Sequence, residues 1–375
     1  MVIIFGYSDY NTLGTIRCFG EKQTSFILLL VSKAKYPFVL ASHFVKKYQI
    51  VESEAEGIEY LLKMKSDYKD YVIIPTSDKT ESALDNNYNV LKCNYIFPHS
   101  NTQGSVNILM DKLTQIKYAE QVGLHTPQSF NYRKGEEFPT NLCFPCIVKQ
   151  LNSTQGKKES INECQNESEL KQAIDKAELT TDFLIQQYVK KEYDLLLIGC
   201  RFSNGETWVP GVFKKERWVS NGGDGSFGIL STSVEKYFKK LDKIEHLLEE
   251  MHYYGLFSVE FGVESNIPYF YEINLRNDGT SHYFHQLGIY LPYIYSLDVR
   301  GNLDQSLLNL ETKECYFIDE FSDIRNIKLS NFKLSKWKQD IKRSSAFKFY
   351  DKHDLKPFIF IFPKRLLATL YKMWL

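Results

Sequence analysis

The chain has 375 residues, and its 46 lysines and arginines are matched by 46 aspartates and glutamates. So even a balance excludes nucleic acid as a general partner and confines charge-driven chemistry to a local cluster. The length allows two or three domains around a substantial core. Seven irregularly spaced cysteines, behind an opening that lacks a signal peptide, point to a cytoplasmic protein rather than a disulfide-stapled secreted one.

Through the first hundred residues apolar runs alternate with polar helical stretches. "VIIFG", "FILLLV" and "PFVLAS" read as strands, "EAEGIEYLLKMKSD" as a helix, and "DYVIIPTSD" and "NYIFP" as strands again. Such alternation predicts a parallel sheet with crossovers, a Rossmann-like unit over residues 1–108. The turn "GYSDYNTLG" lacks a full glycine fingerprint, which argues against an NAD-dependent oxidoreductase. "SFILLLV" falls short of the about 20 apolar residues that cross a bilayer.

Leu109, Leu113, Ile116, Ala119 and Val122 then mark a helix, with Gly123 and Pro127 as stop signals. "FPCIVKQLNSTQGKKESI" reads as strand, polar loop, strand. Its Cys143 and Cys146 make a lone CxxC, short of the about four ligands of a structural zinc. "DFLIQQYVKKEYDLLLIGCRF" reads as strand, linker, strand, and residues 233–252 as one amphipathic helix through Val234, Tyr237, Phe238, Leu241, Ile244, Leu248 and Met251.

The hairpin "GLFSVEFGVESNIPYFYEINLR" carries the sharpest chemical signal. On its second strand Glu272, Asn274 and Arg276 share one face, while Ile273 and Leu275 share the other. A turn around Asn266 sets Glu260 directly opposite Glu272. Carboxylates about 5 Å apart repel by roughly 3 kcal/mol at an effective dielectric of about 20. A shared proton could offset that repulsion. So could a divalent cation, since Asn274 adds a third hard oxygen of the kind that suits Mg²⁺ bound with phosphates. Arg276 cannot ligate a metal but can hold a carboxylate or phosphoryl group. A solvated sheet face is the alternative reading.

"VEFG" followed by "YEINLR" resembles the catalytic hairpin of the ATP-grasp superfamily, whose final strand has the form E-x-N-x-R, and further landmarks follow in order over residues 1–300. The chain is similar to the D-aspartate ligase-like, carbamoyl phosphate synthetase and biotin carboxylase members. The resemblance implies a mixed α/β and α+β fold: a Rossmann-like pre-ATP-grasp domain (1–108), a two-lobed ATP-grasp domain (109–305) and a small C-terminal extension (306–375). It implies ATP and Mg²⁺ as cofactors, with Glu260, Glu272 and Asn274 on the metal. Lys112 in "MDK" and Lys149 in "FPCIVK" would meet the nucleotide, Ser153 and Gly156 would form a phosphate flap, and Gln186, Gln187 and Val189 would face the adenine. Glu192 would hold the ribose hydroxyls. Arg276, with Lys214 and Arg217 in "VFKKERW", would serve the reacting phosphate. The flap departs from the family's pattern, since "NSTQGKK" has a single glycine.

By the same resemblance, ATP phosphorylates a small-molecule carboxylate and an amine attacks the acylphosphate, in a setting such as envelope or capsule biosynthesis. A non-catalytic ATP-binding scaffold is the competing reading. Arg17, Ser77 and Asp78 are candidates for the acceptor wall or simple loop and cap residues. His282 and His285 are packing residues or metal ligands. The tail "PKRLLATLYKMWL" interleaves Lys364, Arg365 and Lys372 with Leu366, Leu367, Leu370 and Trp374, as a helix on the protein's own surface or in a membrane interface does. Oligomeric state is left open.

Overall fold

The structure is a computed structural model, and it describes residues 1–64, 71–150, 162–176, 182–218, 225–329 and 332–374. Strands β1 (Val2–Tyr7), β2 (Phe26–Val31), β3 (Tyr48–Val51), β4 (Tyr71–Pro75) and β5 (Tyr95–Ile96) form a parallel sheet in the order β3-β2-β1-β4-β5. Central β1 is buried on both faces, which is why it reads as an unbroken apolar run: Val2 and Ile4 enter one core cluster, Ile3 and Phe5 another. Helices α1 (Tyr10–Glu21), α2 (Glu54–Lys63), α3 (Asp78–Asn86) and α4 (Tyr88–Leu91) connect the strands. Asp9, Ser53 and Ser77 cap the first three by accepting from backbone N–H groups of the first turn. Contrary to expectation, "PFVLAS" holds a 3-10 turn (Phe38–Ala41), and the missed edge strand β3 comes from the half-polar "YQIV".

The helix expected across residues 109–122 is two, α5 (Ser105–Leu109) and α6 (Lys112–Gln121). Asp111 breaks it, accepting from the Thr114 N–H as the cap of α6. A small antiparallel sheet follows, from β6 (Ser129–Arg133), β7 (Cys146–Gln150), β8 (Asn162–Cys164) and β9 (Asp182–Gln187) in the order β6-β9-β7-β8. Helix α7 (Glu167–Asp175) covers it, burying Leu170 and Ile174 against Val148 and Ile185.

The remaining strands, β10 (Tyr193–Arg201), β11 (Thr207–Trp218), β12 (Gly225–Ser231), β13 (Gly255–Glu264), β14 (Ile267–Asn274), β15 (Glu314–Ile318) and β16 (Ser344–Phe347), build one sheet in the order β14-β13-β10-β11-β12-β15-β16. Between β12 and β13 lie α8 (Val234–Tyr237) and α9 (Leu241–Glu250), two helices where one was expected. Ile244, Leu247 and Leu248 of α9 share a core with Leu195, Leu197, Val259 and Phe261 of the sheet. The opposite face packs toward the amino-terminal unit, where Leu196, Ile198 and Phe213 join Val2, Ile4, Leu13 and Ile16 in one cluster. Helices α10 (Leu291–Asp298), α11 (Asn326–Leu329), α12 (Leu334–Arg343) and α13 (Leu355–Trp374) complete the chain. Within residues 306–375, β15 and β16 belong to the large sheet.

Candidate active site

Hairpin β13–β14 places the chemistry. Ser265 and Asn266, at φ 51° and 65°, form the two-residue turn whose left-handed conformations match strand twist. From that turn, regular pairing would oppose Glu260 to Tyr271. A bulge intervenes: Phe261 pairs with Phe270, but Glu260 pairs with Glu272, leaving Tyr271 as the extra residue. The expected Glu260–Glu272 opposition is therefore present, reached through a bulge rather than a turn centred on Asn266. The Tyr271 ring fills the space a Cβ would occupy at Gly262. Ile273 and Leu275 are buried in the core behind.

Each glutamate has a lysine. Lys215 Nζ donates to Glu260 Oε2 at 2.9 Å, and Lys112 Nζ lies 3.6 Å from Glu272 Oε2. Burial, opposed by Lys215 and reinforced by Glu272, pushes the Glu260 pKa up to about 7. Burial also works against the charge of Lys215, which is 3% exposed, yet attraction by Glu260 and then Asp194 outweighs it and raises its pKa. Asp194 is itself buried: its Oδ2 accepts from Lys191 Nζ and Trp218 Nε1, both at 2.6 Å, while its Oδ1 has no partner among the described residues.

Arg276 continues the row. Its Nη2 donates to Asn274 Oδ1 at 3.3 Å and its Nε to Asp78 Oδ1 at 2.6 Å, with Asp278 Oδ2 at 3.7 Å from Nη1. Asn274 Nδ2 donates to Ser258 Oγ, which donates to Asp278. Burial opposes the Arg276 charge, but Asp78 and Asp278 more than compensate and hold its pKa above the ordinary guanidinium value. One proposed acceptor residue, Asp78, thus meets the candidate site. Ser77 caps α3, and Arg17 is completely buried, bonded to Asp354, the Phe349 carbonyl and His282.

Lys214 and Arg217 turn elsewhere. Strand alternation sends Lys214 to Glu216 and over the Tyr193 ring. Arg217 Nε and Nη2 engage Asp323, and its Nη1 reaches Asp340 at 2.7 Å, an ion-pair cluster that ties β11 to the segment carrying α12. Lys215, between them, is the lysine brought to Glu260. Its position was readable only as one of two parities in "VFKKERW"; selecting it requires knowing that β10 separates β11 from β13.

At the linker between lobes, Gln186 is buried and donates to Ser129 Oγ, while the Gln187 N–H donates to the Gln128 carbonyl. The Val189 carbonyl accepts from the Lys191 N–H. Glu192 Oε1 accepts from the Ser265 N–H at 3.1 Å, fastening the linker to the hairpin turn. Lys149 stands on β7 opposite Leu184. Ser153 and Gly156 lie outside the described residues. His282 and His285 are buried with Nδ1 atoms 3.3 Å apart, His285 also meeting Glu21, and belong to the packing of α1.

Among the described residues no three His, Cys, Asp or Glu side chains gather as a metal site. The donor set on this face is two carboxylates and one amide oxygen. That set fits Mg²⁺, which usually takes one or two carboxylates and fills its octahedron with phosphate oxygens and water. A cavity of about 670 Å³ lined by Lys134, Phe138, Glu167 and Lys171 lies on the small lobe and shares no residue with this face.

Residues 117–287 match the family model of the ATP-grasp domain. The chain is 24% identical over 186 residues to a formate-dependent phosphoribosylglycinamide formyltransferase of a Nitratiruptor species, covering 47% of this chain and 46% of that one. It spans about half the length of the curated relatives it matches. In fold it is similar to an ADP complex of N5-carboxyaminoimidazole synthetase from Staphylococcus aureus, with TM-score 0.66, 15% identity and coverage of 89% and 86% of the two chains. An L-amino acid ligase from Bacillus licheniformis aligns with TM-score 0.63 and 13% identity over 84% of this chain and 78% of that one.

Proposed function

We infer that the chain, which carries an ATP-grasp domain over residues 117–287, uses ATP to activate a small carboxylate for attack by an amine. The observation that carries this reading is the single face holding Glu260, Glu272, Asn274 and Arg276, with Lys112 and Lys215 on the two carboxylates. In the proposed reaction a carboxylate oxygen takes the γ-phosphoryl group and ADP leaves. The amine nitrogen then attacks the acyl carbon, loses its proton, and expels phosphate. No nucleophilic side chain is required; the protein's part is positioning and charge stabilisation.

Glu260, Glu272 and Asn274 would hold Mg²⁺, whose contribution when bound is to neutralise charge on the phosphates. Lys112 and Lys149 would hold phosphate oxygens, the linker residues Gln186, Gln187 and Val189 the base, and Glu192 the ribose. Lys215 takes the place first given to Lys214 and Arg217: freed from Glu260, its ammonium can follow the phosphoryl group. Arg276 would steady the acyl phosphate, with Asp78 orienting it. The relatives' names favour a small acid, since one refers to formate and another to an L-amino acid; they lend no support to an envelope or capsule precursor.

The test is ADP release measured across a panel of short carboxylic and amino acids, each with and without an amine. Stimulation by one acid, with phosphate formed in equal amount when the amine is present, is expected. ATP binding without stimulation by any acid would favour the scaffold reading.

A further inference from the structure

Helix α13 runs for 20 residues, LKPFIFIFPKRLLATLYKMW. One side docks. Ile361 and Phe358 pack into the central core cluster, Phe358 stacks on Phe321, and Thr369 donates to the Phe321 carbonyl. The other side is exposed, although the Phe362 ring also meets Phe321 and Phe358. Leu355, Ile359, Phe362 and Leu366 follow one another at the i, i+4, i+7, i+11 spacing of a single helical row, with Phe360 and Leu367 beside it. All six are between 40 and 68% exposed. Monomeric soluble proteins seldom leave so much contiguous apolar surface without a use.

The charges around this row choose its partner. Lys356, Lys364, Arg365 and Lys372 are in the helix, and Asp and Glu are absent from it, in a chain whose overall charge is zero. Face-to-face pairing with a second copy would bring like charges together with no acid on either helix to offset them. An anionic lipid surface supplies the opposite charge and an apolar layer in one partner. No helix among the described residues is long and apolar enough to cross a membrane, so a bilayer could receive α13 only along its surface. We propose that α13 is a membrane-interface helix that docks the protein on anionic bilayers through Leu355, Ile359, Phe360, Phe362, Leu366 and Leu367, with Lys356 and Lys364 at the headgroups. This inference is independent of the reaction assigned to the site.

The test is flotation of the full chain with phosphatidylcholine vesicles, with and without phosphatidylglycerol, at low and high salt. Binding should rise by about tenfold or more with the anionic lipid and fall with salt, as Lys356 and Lys364 at the headgroups require. Ile359→Glu with Leu366→Glu should abolish flotation while the circular dichroism, melting temperature and ATP turnover stay those of the parent, since both side chains are exposed. Absence of flotation, or equal binding to neutral and anionic vesicles, would overturn the proposal. So would a dimer in light scattering that the same double variant dissolves, because the row would then be covered by a second copy.

Discussion

Glu260 shows how one residue's environment decides what it can do. Its pKa near 7 arises from burial and from Glu272, with Lys215 pulling the other way. Because the folded value lies above the ordinary one, the folded state binds the extra proton between them; stability is lost as pH rises through that window, and the cost is complete above about 7. The stability difference between Glu260→Gln and the parent chain should therefore shrink as pH falls from 8 to 5, measured by thermal melts at several pH values. A difference that grew toward pH 5 would contradict the assignment. Glu272→Gln should lower ADP release by roughly 10²-fold or more, the scale on which removing a transition-state electrostatic contact acts, while the melting curve changes little. Glu272, Asn274 and Arg276 were legible in the sequence because strand alternation puts them on one face, whereas Glu260 meets Glu272 only through the Tyr271 bulge. Lys215 and Asp194 were not legible, since their facing depends on how β10, β11 and β13 pair across the sheet.

Among the elements, hairpin β13–β14 has two points that tolerate little change. Asn266 sits at positive φ, where a β-branched side chain is strained, so Asn266→Val should destabilise the chain by about 1–2 kcal/mol in chemical denaturation. Gly262 lies under the Tyr271 ring. Gly262→Ala must displace that ring or the bulge, at a cost of about 1–3 kcal/mol, and should reduce ADP release because the bulge sets Glu272 against Glu260. Unchanged turnover and stability in Gly262→Ala would show that the bulge is not constrained as described. The strands of the parallel sheet were readable from their apolar runs; edge strand β3, half exposed, gave no such signal. The two divided helices were read as single ones because apolar periodicity carried across their breaks, one at the capping side chain of Asp111 and one at residues 238–240.

At the scale of the molecule, the amino-terminal unit, the large sheet and the last segments share one core. Arg17 pins that assembly, its guanidinium buried against Asp354 and the carbonyls of Phe349 and Asp354. Arg17→Met would leave the buried Asp354 carboxylate only its bonds to His43 and should cost about 3 kcal/mol in denaturant unfolding. The joining of residues 306–375 to the large sheet was not legible, because β15 and β16 are short and their partners are distant in sequence. The central claim, that the face of Glu260, Glu272 and Asn274 receives a divalent ion together with a nucleotide, is tested most directly by Mn²⁺ binding. Electron paramagnetic resonance in the presence of a nonhydrolysable ATP analogue should find nucleotide-dependent binding in the parent chain, weakened by about tenfold or more in Glu260→Gln/Glu272→Gln, as loss of coordinating carboxylates demands. Undiminished Mn²⁺ binding in that double variant, with its fold intact, would contradict it.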